Sequence, residues 1–161
     1  MKNTCALLLL LLTASVSGCH RSASGPSPND PAATLGPCPD GITIVEDQPG
    51  APAQLSITKA RCEGSAWEVE LTLKNVGTKP ITGSEIAYIE DYENKKGVSS
   101  SQSDNSFTIG PSGSKALRSG GGFANGLSYG KPVGALKRNA FRITQIRFSD
   151  STTWGQPWTG R

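Results

Sequence analysis

The feature that most constrains the fold is a stretch of eight residues, 67–74, in which apolar and polar side chains alternate without exception. The apolar positions are Trp67, Val69, Leu71 and Leu73. Because successive side chains of a β-strand point to opposite faces, this alternation predicts a strand with one face on a core and the other in water.

Other short extended segments surround this strand and are separated from it by turn residues. The segment Ile81–Tyr92 is predicted to be extended, with either Ile86 and Tyr88 or Ala87 and Ile89 facing inward. Shorter predicted strands are Ile42–Glu46, Gln54–Arg61, Phe107–Ile109, Ser114–Leu117 and Phe141–Phe148, the last with a bulge near Ile143–Ile146 where alternation breaks. About seven or more strands with turns between them predict an all-β, antiparallel β-sandwich.

Composition agrees with this class and argues against others. The chain has 161 residues, of which 19 are Gly and 11 are Pro. Frequent Gly and Pro exclude a helical bundle or coiled coil, and the length favours one domain over a multidomain enzyme. The net charge of +3 is too small and too scattered for a nucleic-acid-binding face, so no nucleic-acid partner is expected.

The start of the chain carries a targeting signal. Lys2 precedes the apolar run Cys5–Leu12, which is too short for a transmembrane helix and fits the apolar region of a signal peptide. The tetrad Val16-Ser17-Gly18-Cys19 then resembles the lipobox of bacterial lipoproteins. This resemblance implies that residues 1–18 are removed and that Cys19 carries acyl chains that anchor the protein in a membrane. An ordinary secretory signal with a chance cysteine is the alternative.

The residue after the lipidated cysteine bears on localisation. Asp at this position retains Gram-negative lipoproteins in the inner membrane, and here the position is occupied by His20. The expected location is therefore the bacterial envelope, lipid-anchored in the outer membrane and facing the periplasm.

Two cysteines remain for the mature domain, Cys38 and Cys62. An even pair in an exported domain predicts a disulfide, which would close a loop of about 25 residues and stabilise the fold by roughly 3 kcal/mol. Residues 19–37 are rich in Pro, Ser and Gly and are predicted to form a disordered tether between the lipid and a β-sandwich domain at residues 38–161.

Three stretches resemble bacterial immunoglobulin-like envelope domains. Residues 69–81 match the pattern V-x-L-x-L-x-N-x-G-x-x-P-I. Residues 109–113 resemble the I-x-P-G turn of these domains with Ser112 inserted, and residues 148–154 resemble a closing F-x-D-G-x-x-W hairpin in which Ser151 replaces Gly. The resemblance implies an immunoglobulin-like β-sandwich and no particular activity, because sandwiches host many unrelated functions.

The sequence offers no catalytic machinery. The single His is His20, in the tether, so no Ser–His or Cys–His nucleophile can be assembled in the domain. Glu90, Asp91 and Glu93 precede a polar turn and are interpreted as a solvated, charged hairpin rather than a catalytic pair or a calcium site. The glycine-rich stretch 119–126 does not match a phosphate-binding loop and is interpreted as a mobile loop. We therefore expect no enzymatic activity, no cofactor and no metal.

Recognition is expected to use loops on a rigid scaffold. The end of the domain nearest the tether should face the membrane, leaving the opposite loops to meet partners. In the segment Ser119–Pro132, which lacks a strand pattern, Phe123, Asn125 and Tyr129 combine aromatic and adaptable polar groups. Burial of Phe123 in the core is the competing interpretation.

The predicted function is binding of another envelope component. One alternative is a carbohydrate- or peptidoglycan-binding domain that uses Trp158 to stack on sugar rings. Another is an inhibitor of a periplasmic enzyme that presents the loop beginning at Ser119.

Overall fold

The computed structural model describes residues 35–123 and 126–160, and these residues form an all-β domain, as predicted. The strands are β1 (Gly36–Pro37), β2 (Thr43–Val45), β3 (Ala53–Glu63), β4 (Ala66–Asn75), β5 (Ile81–Tyr92), β6 (Val98–Asp104), β7 (Ser114–Gly121), β8 (Leu127–Ser128), β9 (Lys131–Pro132), β10 (Leu136–Phe148) and β11 (Thr153–Gly155). The predicted signal peptide, Cys19 and nearly all of the predicted tether lie outside the described residues.

The strands form two main sheets and one small hairpin. The β4 sheet has the order β1-β3-β4-β7. The β10 sheet has the order β11-β10-β5-β6, and β2 also pairs with β10, in parallel; the other pairings between these strands are antiparallel. Within residues 35–123 and 126–160, strands β8 and β9 pair only with each other.

The alternating stretch 67–74 lies in β4 as predicted, and its four apolar side chains are buried. The indole ring of Trp67 makes edge contacts across to the other sheet, with ring centroids 5.2 Å from Tyr88 and 5.6 Å from Phe141. The two sheets therefore bury their facing sides against each other. Of the two predicted orientations of β5, the one with Ile86 and Tyr88 inward is confirmed.

The predicted disulfide between Cys38 and Cys62 is present, with the two Cα atoms 4.8 Å apart. Cys62 lies opposite Trp67 in the β3–β4 pairing, and β1 runs alongside this same part of β3. The disulfide therefore fixes the first described residues to the end of the domain that contains the β3–β4 turn.

One edge of β10 is shared by two short strands. β2 pairs with residues 139–141 and β11 with residues 145–147. Between them, the side-chain amide of Gln48 takes the place of a strand residue: its Nε2 donates to the Ile143 carbonyl at 2.6 Å, and the Ile143 N–H donates to its Oε1 at 2.7 Å. This side chain satisfies backbone groups that an open edge would leave unpaired.

Several sequence expectations are refined. The predicted bulge is confirmed as a register shift between Ile143 and Gln145 in the β10–β5 pairing. The predicted strand Phe107–Ile109 is wrong, because this segment makes only an isolated bridge from Ile109 to Ile81. The edge strand β6 was not predicted, because its Ser- and Gln-rich sequence carries no apolar alternation.

The two serines that depart from the family turn patterns both adopt left-handed backbone conformations. Ser112 has φ 62° and Ser151 has φ 65°, in the region that favours glycine. In the second turn, Asp150 accepts hydrogen bonds from Lys79 Nζ at 2.7 Å and from the Thr152 N–H at 3.0 Å, and these bonds lower the pKa of Asp150.

We predict that Ser151→Gly stabilises the domain by roughly 0.5–1 kcal/mol, because a side chain at left-handed φ costs more than the added freedom of glycine in the unfolded chain. Ser149→Gly, at a residue of ordinary φ in the same turn, is the matched control and should destabilise slightly. Urea denaturation measures both. Equal effects of the two substitutions would contradict the conformational explanation.

Candidate functional site

Two loops meet at the end of the domain where the described chain begins. The β5–β6 turn at residues 93–97 donates backbone hydrogen bonds from Glu93 to the Ala135 carbonyl and from Asn94 to the Val133 carbonyl, both at 2.9 Å. Val133 in turn donates to Gly126 at 2.9 Å. The residues that flank the β8–β9 hairpin, Gly126 and Val133, are thus joined to each other by one backbone hydrogen bond, and Val133 is joined to the β5–β6 turn by another.

Lys95 of the β5–β6 turn joins the two loops. Its Nζ donates to Ser128 Oγ at 2.6 Å and lies 5.1 Å from the ring centroid of Phe123 and 5.3 Å from that of Tyr129. An ammonium group within about 6 Å of an aromatic face is attracted by the ring quadrupole. We call Lys95, Phe123, Ser128 and Tyr129 the Lys95 cluster.

Phe123 supports this cluster from below rather than projecting from it. Its half-buried ring packs edge-on against Tyr92, with centroids 5.0 Å apart, and belongs to the main core. The Phe123 carbonyl accepts a hydrogen bond from Ser65 Oγ at 3.2 Å. Of the two interpretations of Phe123, core packing is the one that these contacts favour.

The glycines before Phe123 are explained by close packing. A Cβ on Gly121 would lie 2.9 Å from the Trp67 ring, and a Cβ on Gly122, at φ 125°, would lie 2.2 Å from the Ser65 carbonyl oxygen. Residues 119–121 also belong to β7. The interpretation of 119–126 as a mobile loop is therefore wrong over residues 119–121, which pair with β4 as a strand.

Tyr129 is presented at the tip of the β8–β9 hairpin. Its side chain is 99% exposed, and its φ of 49° is followed by a φ of 76° at Gly130. Positive φ at both central residues defines a type I′ turn, which ordinarily carries Asn-Gly. A tyrosine held in this sparsely populated conformation, with no burial to account for it, marks the position as a functional candidate.

The other predicted site residues are not brought to this cluster. Asn125 lies outside the described residues. Trp158 is half-buried beyond β11; its backbone N–H donates to Glu85 Oε2 at 2.9 Å, and its buried indole N–H has no hydrogen-bond partner in the part of the chain that the structure describes. The structure thus assembles Phe123 and Tyr129 and places Trp158 on a different surface.

The prediction that the partner-binding loop lies opposite the tether is wrong. Gly36 pairs with Cys62 beside the β3–β4 turn, and that turn contacts the loop through the Ser65–Phe123 and Leu136–Gly64 hydrogen bonds. Strand β7 runs antiparallel to β4 and so ends beside the β3–β4 turn. The segment that follows β7 therefore lies at the same end of the domain as β1, where the described chain begins.

The interpretation of Glu90 as a solvated residue is also wrong. Its side chain is 4% exposed and accepts a hydrogen bond from Trp67 Nε1 across the core. Burial raises the pKa of Glu90 above its ordinary value. The sequence could have indicated this burial, because side chains two residues apart in a strand point to the same face. Glu90 lies two residues beyond the inward-facing Tyr88 and so shares its face of β5.

Glu90 belongs to a row of buried polar side chains in the core. Asn139 pairs with Glu90 on one side and with Thr43 on the other. Among the described residues, neither polar atom of Asn139 has a hydrogen-bond partner, and the Thr43 hydroxyl is likewise unpartnered. Burial and the neighbouring Glu90 raise the pKa of Tyr92. Tyr92 also packs against Phe123, so this one ring links the buried polar residues to the Lys95 cluster.

Within the described residues, no group of three or more His, Cys, Asp or Glu side chains is placed to hold a metal ion. The same part of the chain contains no helix with the length and apolar character needed to cross a membrane.

Comparison with known proteins finds no matching family model, no similar curated protein and no similar solved structure. Interpretation of the site therefore depends on its own geometry: a fully exposed tyrosine with left-handed backbone, and a lysine from a second loop that lies near both this ring and a packed phenylalanine.

We predict that Phe123→Ser lowers the free energy of unfolding by roughly 1–3 kcal/mol, because it removes a half-buried ring from the core. Tyr129→Ser should change it by less than about 0.5 kcal/mol, because the ring it removes is exposed. Thermal and urea unfolding of the two variants measure the contrast. A large loss for Tyr129→Ser would mean that the tyrosine is structural.

A second prediction concerns Glu90. Because its folded pKa is raised, the folded state binds its proton more tightly than the unfolded state, and this contribution to stability is lost as pH rises through the folded pKa. Gln accepts the same hydrogen bond from Trp67 and does not titrate. Glu90→Gln should therefore gain stability relative to the wild type as pH rises from about 4 to 8.

Urea midpoints across this pH range test the Glu90 prediction, with Glu93→Gln at an exposed carboxylate as the matched control. Parallel pH profiles for the wild type and Glu90→Gln would show that the buried carboxyl is not coupled to folding.

Proposed function

We propose that this protein is a lipid-anchored component of the bacterial envelope, held in the outer membrane through Cys19 and facing the periplasm. Its described domain acts as a non-enzymatic binding module, an immunoglobulin-like β-sandwich. The Lys95 cluster is its recognition surface, with Tyr129 as the contact residue.

The observation that carries this proposal is the combination of full exposure and fixed geometry at Tyr129. The ring is 99% exposed, yet its turn is held by the Asn94–Val133 and Lys95–Ser128 hydrogen bonds. Because the backbone of the turn is already held, little further backbone freedom is lost when Tyr129 binds a partner. Tyrosine is also enriched among the residues that dominate binding energy at interfaces.

Two observations support an envelope location. The Val16–Cys19 tetrad follows an apolar segment of signal-peptide length. The Cys38–Cys62 disulfide fits an oxidising compartment outside the cytoplasm, where such bonds persist.

The assignment to an immunoglobulin-like sandwich is supported by two facing sheets, antiparallel except for the β2–β10 pairing, and by two turns. Asn75 organises the β4–β5 turn, since its Nδ2 donates to the Lys79 carbonyl and its Oδ1 accepts from the Gly77 N–H. In the β10–β11 turn, Asp150 Oδ1 accepts from the N–H of Thr152, two residues on, as Asn75 Oδ1 does from Gly77. These are the residues on which the family resemblance depends.

The alternative functions have weaker support. A peptidoglycan-binding role for Trp158 needs an exposed ring, and this side chain is half-buried. An inhibitory loop beginning at Ser119 needs a free segment, whereas Ser119 is paired with Val69 inside the β4 sheet.

The anchor is tested by metabolic labelling with a palmitate analogue. The wild type should carry the label and fractionate with membranes, and Cys19→Ala should lose both. Cys5→Ala, which changes a cysteine within the predicted signal peptide, is the matched control and should keep them. Label retained by Cys19→Ala would refute the proposed anchor.

The recognition surface is tested in the same cells with a photoreactive phenylalanine analogue. Placed at Tyr129 it should form adducts with an envelope component, whereas at Thr78, an exposed residue at the other end of the domain, it should not. Equal adduct yields at both positions would contradict a recognition role for the Lys95 cluster.

A further inference from the structure

The Lys95 cluster and the point of chain entry lie at the same end of the domain. The first described residue is Leu35, and Cys19 precedes it by 16 residues (35 − 19). A chain of that length would span about 20–24 Å as a flexible coil and about 50 Å as polyproline II. Strand β10 alone, with 13 residues, is about 43 Å long. Under the proposed lipid anchor, this end of the domain is the one that follows the lipid most closely along the chain.

The surface at this end has the chemistry of a membrane contact. Tyr129 is 99% exposed and Leu127 in the same hairpin is 44% exposed. Lys96 and Lys131 are exposed beside them, as is Lys137 at the start of β10, and the exposed anions at this end are Glu93, Glu63 and Asp40. Tyrosine favours the membrane–water interface, and lysines near the surface are attracted to anionic lipids.

Other occupants fit these features less well. Two apolar side chains at a narrow hairpin tip form a small area, far below the roughly 800 Å² that each partner buries in a stable protein complex. A membrane needs no matching surface, because the apolar side chains enter the headgroup region one by one while the lysines pair with phosphates.

We propose that the β8–β9 hairpin docks the domain on an anionic lipid surface, with Tyr129 and Leu127 inserted at the headgroup level and Lys96 and Lys131 paired with lipid phosphates. This inference rests on the proposed lipid anchor and names the partner of the same site. Docking at the hairpin would orient the domain and leave the 75–80, 105–113 and 149–152 loops directed away from the membrane.

The experiment uses the mature lipidated protein, labelled with 3-fluorotyrosine, in vesicles of phosphatidylcholine with or without phosphatidylglycerol. A few lipids carry a gadolinium chelate on the headgroup, which broadens nearby ¹⁹F resonances. The chain has 3 Tyr, so the buried Tyr92 and the partly buried Tyr88 are internal references, and Tyr129→Phe assigns the third signal. Thr78→Tyr adds a reporter at the opposite end.

With phosphatidylglycerol present, the Tyr129 signal should broaden at least threefold more than that of a tyrosine at position 78. The double substitution Lys96→Glu with Lys131→Glu should abolish this difference, while Lys74→Glu, an exposed charge reversal far from the hairpin, should preserve it.

Equal broadening at positions 129 and 78 would overturn the inference and direct the search to a soluble protein, to peptidoglycan or to a second copy of the chain. That result would leave the proposed anchor intact, because the protein would still be vesicle-bound. Protein that never enters the vesicles because Cys19 is not acylated would instead refute the proposed function.

Discussion

The contact of Trp67 with the opposite sheet is the constraint on which the rest of the domain depends. The indole packs on the rings of Tyr88 and Phe141, and its N–H donates to buried Glu90, so one side chain provides both apolar and polar contacts between the sheets. An aromatic pair in such edge geometry contributes about 0.5–1.5 kcal/mol beyond its buried area. Cys62 lies opposite Trp67 on β3, which places the disulfide at the same level.

The recognition surface follows from that contact. Gly121 must lack a side chain because the indole occupies the space beside it. Strand β7 therefore ends in glycines that pass close to the β3–β4 turn and deliver Phe123 onto Tyr92. Lys95 then lies over Phe123 and under Tyr129 and joins the two loops. The packing of Phe123 on the core thus positions Lys95, which lies beside the exposed ring of Tyr129.

The local hydrophobic pattern predicted several of the strands, whereas the location of the Lys95 cluster depends on pairing between residues far apart in the sequence. The alternation of β4, the bulge in β10 and the disulfide were all predictable from residue type and spacing. Strand β6 was not predictable, because serine and glutamine carry no periodic hydrophobic signal. The role of Gln48 was not predictable either, because its side chain pairs with the backbone of Ile143, 95 positions away. The location of Tyr129 at the chain-entry end depends on the direction of β7, which sequence alone does not reveal.

The central claim is that Tyr129 is exposed on a hairpin that the fold holds rigid, and amide hydrogen exchange with backbone relaxation tests it most directly. The N–H groups of Asn94 and Val133, which donate to the paired loops, should exchange slowly, as core amides do. The order parameter at Tyr129 should be near 0.85, the value of rigid backbone. Exchange at the rate of an unfolded chain, with an order parameter below about 0.6, would contradict the account.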